Sequence, residues 1–210
     1  MEKRIRVYKE SESVVFMKTN EAFGGLSNMA PLYPIIINGI EVATSEGLYQ
    51  SFRFTHISKV QRLIIREKNP MIAKQISRNY NNYTRSDWNL IRVNVMRWCL
   101  RAKLICNFNK FRSLLLSTEE KSIVEKSYKD KFWGAMPNKN GELIGENVLG
   151  RLLMELREEC RTMGENTDKK FLKPLSVENF LFLDKKIEPL VVIKKKEEPL
   201  QINMLRENLD

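Results

Sequence analysis

Residues 118–157, TEEKSIVEKSYKDKFWGAMPNKNGELIGENVLGRLLMELR, contain acids, a tryptophan, a glycine-containing turn and a helix start. Apolar residues recur at helical spacing after Asn147, which predicts an amphipathic helix that begins there. Gly145 and polar residues precede this helix, so its first backbone N–H groups are candidates to bind an anion. A turn followed by a capped core helix explains the same spacing. The helical stripe consists of Val148, Leu149, Leu152, Leu153 and Leu156.

Upstream in the same stretch, residues 122–128 alternate in a way that predicts a strand. A helix is the alternative, because Ser117 and Glu120 have the spacing of a capping box.

A second acidic segment lies about eighty residues earlier, where Thr44 and Ser45 predict a helix N-terminus. Glu46 falls in the first turn, and the helix dipole alone is one reason for a carboxylate there. Tyr49 and Gln50 follow at three and four residues, so they share a face with Glu46. We interpret this face as a candidate pocket wall.

The other predicted elements come from local patterns along the chain. Residues 3–18 predict one or two strands, and Asn38-Gly39 between apolar runs predicts a hairpin with a type I′ turn. Asn69-Pro70 has the pattern of a helix start. We predict helices over 70–76, 85–106 and 109–116, with a polar loop over 78–84.

Composition restricts the class of protein. The chain has 210 residues and a formal net charge of +10. Residues 1–161 hold 27 of the Lys and Arg residues against 17 Asp and Glu, so the excess lies in the body. A basic body favours anionic partners such as phosphates or nucleic acid, although it equally serves solubility.

Other features argue against several settings and cofactors. No apolar run is long enough to span a bilayer, and the charged N-terminus does not resemble a signal peptide. Three cysteines without CxxC spacing indicate reduced thiols, so we expect a cytoplasmic protein without membrane attachment. A single histidine, His56, and the absence of phosphate-loop or dinucleotide motifs lead us to expect no metal and no cofactor.

The polar residues that remain suit a charged ligand with an aromatic ring. Rings stack on tryptophan and tyrosine. Carboxylates can protonate a leaving base or activate water at a sugar carbon. The candidates are the carboxylates Glu46, Glu125 and Asp130, the amides Asn28, Gln50 and Asn147, and the indoles Trp88 and Trp133.

Taken together, these segments resemble the NADAR family of YbiA-like N-glycosidases. The similarity runs over about residues 14–160. Each matching piece alone is a weak indication of the family, but the order and spacing of all the pieces together are specific for it. The matching pieces include Leu26-Ser27-Asn28-Met29, Thr44-Ser45-Glu46, Tyr49-Gln50, Ala102-Lys103, Val124-Glu125, Trp133-Gly134 and Gly150-Arg151-Leu152.

The resemblance implies a compact α+β domain, mainly helical, with a small sheet. It implies hydrolysis of an N-glycosidic bond in an ADP-ribose-like or phosphoribosyl ligand. Known family activities are removal of ADP-ribose from guanine and cleavage of riboflavin-pathway intermediates, so ADP-ribosylated DNA or RNA is a further expected partner.

The resemblance also implies roles for individual residues. Glu46 becomes the acid/base carboxylate, Asp130 orients the sugar or water, and Lys103 is a candidate amine nucleophile that forms a Schiff base with an opened ribose. The predicted substrate-binding residues are Asn28, Tyr49, Gln50, Trp88, Glu125, Trp133, Gly134, Gly145 and Asn147.

Two positions depart from the family pattern. Gly47 stands where a bulky residue, commonly histidine, is usual, and Arg53 stands where lysine is frequent. Gly47 widens the expected pocket, and Arg53 keeps the charge without offering an amine nucleophile.

The chain beyond the match has a different character. We divide it into a domain over 1–161 and an extension over 162–210, in which KKIEPLVVI is loosely echoed by KKEEPLQI. We read the extension as extended segments docked on the body or on a partner. It is not needed for the expected chemistry, so removing residues 165–210 should leave a folded, active domain.

Two functions compete with an N-glycosidase. One is a reader module that binds ADP-ribose or NAD-like ligands without turnover. The other is a nucleic-acid-binding or scaffold protein that grips phosphates with its basic body. Retention of Glu46, Asp130 and both tryptophans favours the enzyme.

Overall fold

A computed structural model describes residues 5–162 and 171–192. Their architecture is α+β and mainly helical, as expected. The helices are α1 (Ser45–Ser51), α2 (Ser58–Ile65), α3 (Pro70–Asn79), α4 (Trp88–Cys106), α5 (Phe108–Leu116) and α6 (Val148–Thr162). The strands are β1 (Arg6–Lys9), β2 (Ser13–Phe16), β3 (Ile35–Ile37), β4 (Ile40–Val42), β5 (Ser122–Glu125), β6 (Met136–Pro137), β7 (Glu142–Gly145), β8 (Phe171–Leu172), β9 (Leu181–Phe182), β10 (Lys185–Lys186) and β11 (Leu190–Val191).

The strands form several small sheets. β1, β7 and β6 make an antiparallel sheet in that order, and β2 pairs with β5 in parallel. The parallel register places Phe16 beside Glu125. The strand prediction for residues 122–128 is therefore confirmed over its first half, and the helical alternative is wrong. A parallel pair needs a long crossover, and here the crossover contains helices α1 to α5.

Local signals located most helix and hairpin boundaries. Asn38 and Gly39 have φ angles of 49° and 78°, which confirms the predicted turn between β3 and β4. Asn69 caps α3 with its side chain and Pro70 follows, as predicted. The helix continues three residues beyond Ile76, so the predicted loop begins later. Helix α2 was not predicted, and its N-cap, Ile57, makes no side-chain capping bond.

The main core surrounds α4. Trp98, Cys99 and Leu100 are buried there, with side chains of α1, α5 and α6 packed around them. The apolar stripe predicted for α6 is buried throughout.

The described part of the extension packs against this same core. Phe180 stacks on Phe52 with ring centroids 4.4 Å apart, and the Trp98 indole N–H donates to the Lys173 carbonyl at 2.8 Å. The Gln61 side chain donates to the Leu181 carbonyl. Docking on the body was one of the two expected arrangements. The second repeat, residues 195–202, lies outside the described residues, and the division at residue 162 stays a prediction.

No helix in the described ranges is long and apolar enough to cross a membrane. Within the same ranges, no three His, Cys, Asp or Glu side chains are grouped so that they could hold a metal ion.

Candidate active site

Helix α1 supplies the first half of the candidate site. Thr44 caps it as predicted, since its Oγ1 accepts from the Gly47 N–H at 3.1 Å. The Glu46 N–H donates to the Asn28 carbonyl at 3.0 Å, which ties the helix start to the loop before β3. Glu46 is only 5% exposed. A carboxylate so deeply buried needs partners, and the structure provides them.

The Glu46 carboxylate belongs to a network that joins α1 to α3. Its Oε1 accepts from Gln50 Nε2 at 2.9 Å and lies 3.7 Å from Lys74 Nζ. Gln50 Oε1 in turn accepts from Ser77 Oγ at 2.6 Å and from Arg53 Nη1 at 3.3 Å. These bonds fix the orientation of both side chains, as a preorganised catalytic group requires.

Glu125 supplies the second carboxyl group at the end of β5. Its pKa is raised to about 7, chiefly by burial and then by the neighbouring charges of Glu46 and Asp130, while the charge of Lys74 opposes the shift. The residue itself is half-buried. Because the charges of Glu46 and Asp130 both act on Glu125, these three carboxyl groups lie in the same region of the structure.

Aromatic rings connect the two halves directly. The Tyr49 ring lies 5.0 Å from the Trp88 ring and 5.6 Å from the Trp133 ring, centroid to centroid. Burial is the first cause that raises the pKa of Tyr49, followed by the charge of Glu46, so its hydroxyl stays neutral. Tyr49 and Trp88 are buried, whereas Trp133 is half-buried. The structure therefore brings these three predicted residues together.

Arg53 links the helix that carries Glu46 to α3 and to the segment that precedes α4. Besides Gln50, its guanidinium donates to Ser77, Asn81 and Thr84. It also lies over the Trp88 ring, 5.8 Å from the centroid. Arginine has the several fixed donors that these bonds need, whereas lysine at this position would supply fewer.

Asp130 holds the loop that carries Trp133. Its Oδ1 accepts from the backbone N–H groups of Phe132 and Trp133, both at 2.9 Å. Asp130 is also close enough for its charge to raise the pKa of Glu125. Its expected part in orienting the sugar or water stays a prediction.

The start of α6 differs from the expected anion site. The N–H groups of Asn147, Val148 and Leu149 donate to the carbonyls of Gly134, Phe132 and Trp133. The prediction that these N–H groups are candidates to bind an anion is therefore wrong, because neighbouring carbonyls already satisfy them.

The fold itself also explains three further predicted substrate-binding residues, Asn147, Gly134 and Gly145. Asn147 Oδ1 accepts from the Glu125 N–H at 3.1 Å, and Nδ2 donates to the Ile123 carbonyl at 2.8 Å. A Cβ at Gly134 would lie 2.4 Å from the Glu125 carbonyl oxygen, and one at Gly145 equally close to that of Gly134. The contacts in the structure show that Asn147 and Gly134 position the backbone of Glu125. Contact of the three residues with a ligand stays a prediction.

Lys103 is fully buried beneath the loop that contains Asn28. Its Nζ donates to the carbonyls of Gly25 at 2.6 Å and Ser27 at 3.0 Å, and lies 4.5 Å from the centroid of the Tyr33 ring. Its pKa is lowered to about 7, chiefly by burial and to a smaller extent by the charge of Lys110. The amine thus has the lowered pKa that a nucleophile needs, but it faces backbone carbonyls. Its Schiff-base role stays a prediction.

Sequence reasoning missed several contributors to the site. Lys74 and Ser77 lie on α3, and their approach to Glu46 and Gln50 depends on how α1 packs on α3. Ser45 was interpreted only as part of a helix start, and Met96, whose sulfur lies 2.9 Å from Asn28 Nδ2, was not considered as a site residue. No local pattern marks these residues, since each meets its partner through tertiary packing.

Comparison with known proteins agrees with the architecture. Residues 15–161 match the NADAR domain. The chain is similar to the N-glycosidase YbiA of Shigella boydii, with 36% identity over 156 residues that cover 74% of this chain and 93% of that protein. It is 32% identical to the N-glycosidase Npun_R5314 of Nostoc punctiforme over 72% of this chain and 94% of that protein.

Two further similarities concern a longer protein and a solved structure. A riboflavin biosynthesis protein of Vibrio vulnificus is 35% identical over 71% of this chain, and the match spans 39% of that protein. The NMR structure of Escherichia coli YbiA matches with a TM-score of 0.61 and 31% identity, over 76% of this chain and 92% of that one. The match to the domain and the coverage of these relatives lead to one conclusion: the chain belongs to the NADAR domain family.

Proposed function

We propose that this protein is an N-glycosidase that hydrolyses the bond between a ribosyl carbon and a nitrogen. The observation that carries the proposal is the convergence of Glu46 and Glu125 beside the rings of Tyr49 and Trp133. A pair of carboxyl groups, one of which has a raised pKa, meets the requirements of glycoside hydrolysis. The names of the YbiA and Npun_R5314 relatives support the same reaction class.

The environments of the two carboxyl groups suggest separate roles. With a pKa of about 7, Glu125 keeps a proton in a large fraction of molecules at neutral pH, so it is the group that protonates the leaving nitrogen. Glu46, oriented by Gln50 and Lys74, takes a proton from the attacking water. The water oxygen bonds to the sugar carbon as the carbon–nitrogen bond breaks. Proton exchange with solvent restores both groups.

We further propose that the substrate is either an ADP-ribosylated guanine or a phosphoribosyl intermediate of riboflavin synthesis. Two indoles and a tyrosine beside the carboxylates offer stacking surfaces for a base. The similarity to the Vibrio vulnificus riboflavin biosynthesis protein supports the second substrate, although the chain matches less than half of that protein.

The test is incubation with ADP-ribosylated guanosine and with a riboflavin-pathway phosphoribosyl amine, with released base and sugar measured by mass spectrometry. We expect release from one of them. Glu46→Gln should reduce the rate by about 10²-fold or more while ligand affinity changes only a few-fold. The matched control is Glu41→Gln, which changes an exposed glutamate of β4 and should retain the wild-type rate.

Other outcomes distinguish the alternatives. Ligand binding without release by the wild type would favour the reader module. Equal loss of turnover and binding in Glu46→Gln would mean that Glu46 is a structural residue. Strong, salt-dependent binding of unmodified DNA or RNA without release would favour the scaffold.

A further inference from the structure

Two buried polar atoms beside Glu46 have no hydrogen-bond partner among the described residues. They are Asn28 Oδ1 and Ser45 Oγ, in residues that are 5% and 1% exposed. Buried polar atoms are nearly always paired, because an unpaired one costs about 1–3 kcal/mol. Such atoms next to a candidate catalytic carboxylate indicate a place where a ligand supplies the missing partner.

The orientation of the Asn28 side chain follows from its neighbour on α4. Its Nδ2 lies 2.9 Å from the Met96 sulfur. A thioether sulfur accepts hydrogen bonds but never donates them, so the nitrogen faces Met96 and the oxygen faces away. The backbone on both sides is held by Lys103, which binds the Ser27 carbonyl, and by the Glu46 N–H, which binds the Asn28 carbonyl. The unpaired oxygen is therefore fixed in place.

Ser45 is the first residue of helix α1, which carries Tyr49. It precedes Tyr49 by four residues, so the two side chains lie on the same face of α1. Tyr49 on that face contacts Trp88 and Trp133. Helical side chains lean toward the N-terminus, so the Tyr49 side chain extends in the direction of Ser45, which directly precedes Glu46.

The chemistry of the two atoms selects hydroxyl groups over phosphate. An amide oxygen only accepts, and a phosphate at neutral pH offers mainly acceptors, so the two would repel each other. A sugar hydroxyl can donate to Asn28 Oδ1 and exchange a second hydrogen bond with Ser45 Oγ. Neither residue carries a charge, which also suits a neutral polyol.

We propose that Asn28 and Ser45 form a subsite that binds the ribose hydroxyls of the ligand, next to the bond that is cleaved. This deepens the proposed function and rests on it. It narrows the role of Asn28, which the family resemblance places only among the substrate-binding residues. Ser45 becomes a specificity residue in addition to its place in the first turn of α1.

The test is isothermal titration of the full chain with guanosine monophosphate, its 2′-deoxy and 3′-deoxy counterparts, and inorganic phosphate. In the wild type, we expect loss of one of the two hydroxyls to weaken binding roughly tenfold. Ser45→Ala and Asn28→Leu should weaken binding of the ribonucleotide by a similar factor. The same variants should leave nearly unchanged the affinity for the deoxynucleotide that lacks the recognised hydroxyl. Ser86→Ala and Asn82→Leu, at exposed positions, should behave as the wild type does.

Several outcomes would overturn the subsite. One is that both deoxynucleotides bind the wild type as tightly as the ribonucleotide, a comparison that needs no variant to fold. A second is that no nucleotide binds at millimolar concentration. A third is that the variants weaken the binding of inorganic phosphate as strongly as the binding of the ribonucleotide. Hydroxyl-dependent binding without cleavage of any N-glycoside would support the subsite and count against the proposed hydrolysis. Cleavage without hydroxyl discrimination would overturn the subsite alone.

Discussion

Glu125 shows how much a single side chain depends on the fold around it. Alternation in the sequence located it on a strand, but the sequence does not reveal that its carboxyl group is desolvated. That property arises because β5 is covered by α6 and by the loop around Gly134. The sequence was therefore enough to select Glu125 as a candidate, whereas its raised pKa could be recognised only from the tertiary structure.

The raised pKa of Glu125 makes a testable prediction about pH. If Glu125 is the acid, kcat/KM of the wild type should fall as the pH rises through about 7, because the proton is then lost. Glu125→Gln cannot lose this proton, so its profile should lack that decline and its rate should be about 10²-fold lower. The measurement is kcat/KM between pH 5 and 9. A profile shared by wild type and Glu125→Gln would assign the acid elsewhere, and exposed Glu119→Gln is the control.

Lys103 gives a second prediction, which concerns stability. The folded protein releases this proton near pH 7, whereas an unfolded lysine keeps it to about 10.5. The unfolded state thus binds more protons in this window, and folding stability should rise with pH across it. The expected contribution is about 1.4 kcal/mol per pH unit.

Urea unfolding at pH 7.5, 8.5 and 9.5 measures this effect. Lys103→Met should lose the rise, while Lys121→Met, which changes an exposed lysine, should keep it. Equal pH dependence in the two variants would show that Lys103 is not the source.

At the level of elements, the start of α6 organises the second half of the site. Its first N–H groups bind the loop over 131–134, and Asn147 binds the backbone of β5 on both sides of Val124. Apolar periodicity predicted the helix and its first residue. The periodicity gave no sign that loop carbonyls would occupy the N–H groups, because that contact depends on where residues 131–134 fold back.

Asn147 offers a prediction for this junction. Its φ of 47° is a conformation that glycine tolerates, so Asn147→Gly removes the two side-chain bonds without adding backbone strain. We expect a loss of roughly 2–4 kcal/mol, because a buried N–H and a buried carbonyl lose their partners. Chemical denaturation measures it. Asn140→Gly, in an exposed turn, should cost much less, and similar losses would indicate that the Asn147 bonds contribute little.

For the whole molecule, the extension is the feature that the sequence described least well. Docking on the body was one expected arrangement, but the partners of Phe180 were not predicted, since Phe52 and Trp98 lie about eighty or more residues away. The described packing favours an extension that contributes to the main core. We therefore expect a chain that ends at residue 162 to be much less stable than one that ends at residue 192, contrary to the expectation from sequence alone.

A point variant tests the same idea without truncation. Phe180→Ala removes a ring that stacks on Phe52 and meets Trp98 edge-on, so it should lower the free energy of unfolding by about 3–5 kcal/mol. Phe171→Ala is the matched control, because that ring is 55% exposed. Thermal and urea unfolding of both variants decide the matter. Wild-type stability in Phe180→Ala would support independent folding of residues 1–161.

The parallel pairing of β2 with β5 has a consequence for synthesis on the ribosome. Residues 13–16 emerge early, yet their partner strand is made more than one hundred residues later. Glu46 likewise leaves the exit tunnel long before Glu125 and the α6 start that anchors it. A nascent chain must therefore wait, with an unpaired strand and an incomplete candidate site, until residue 149 has also left the exit tunnel.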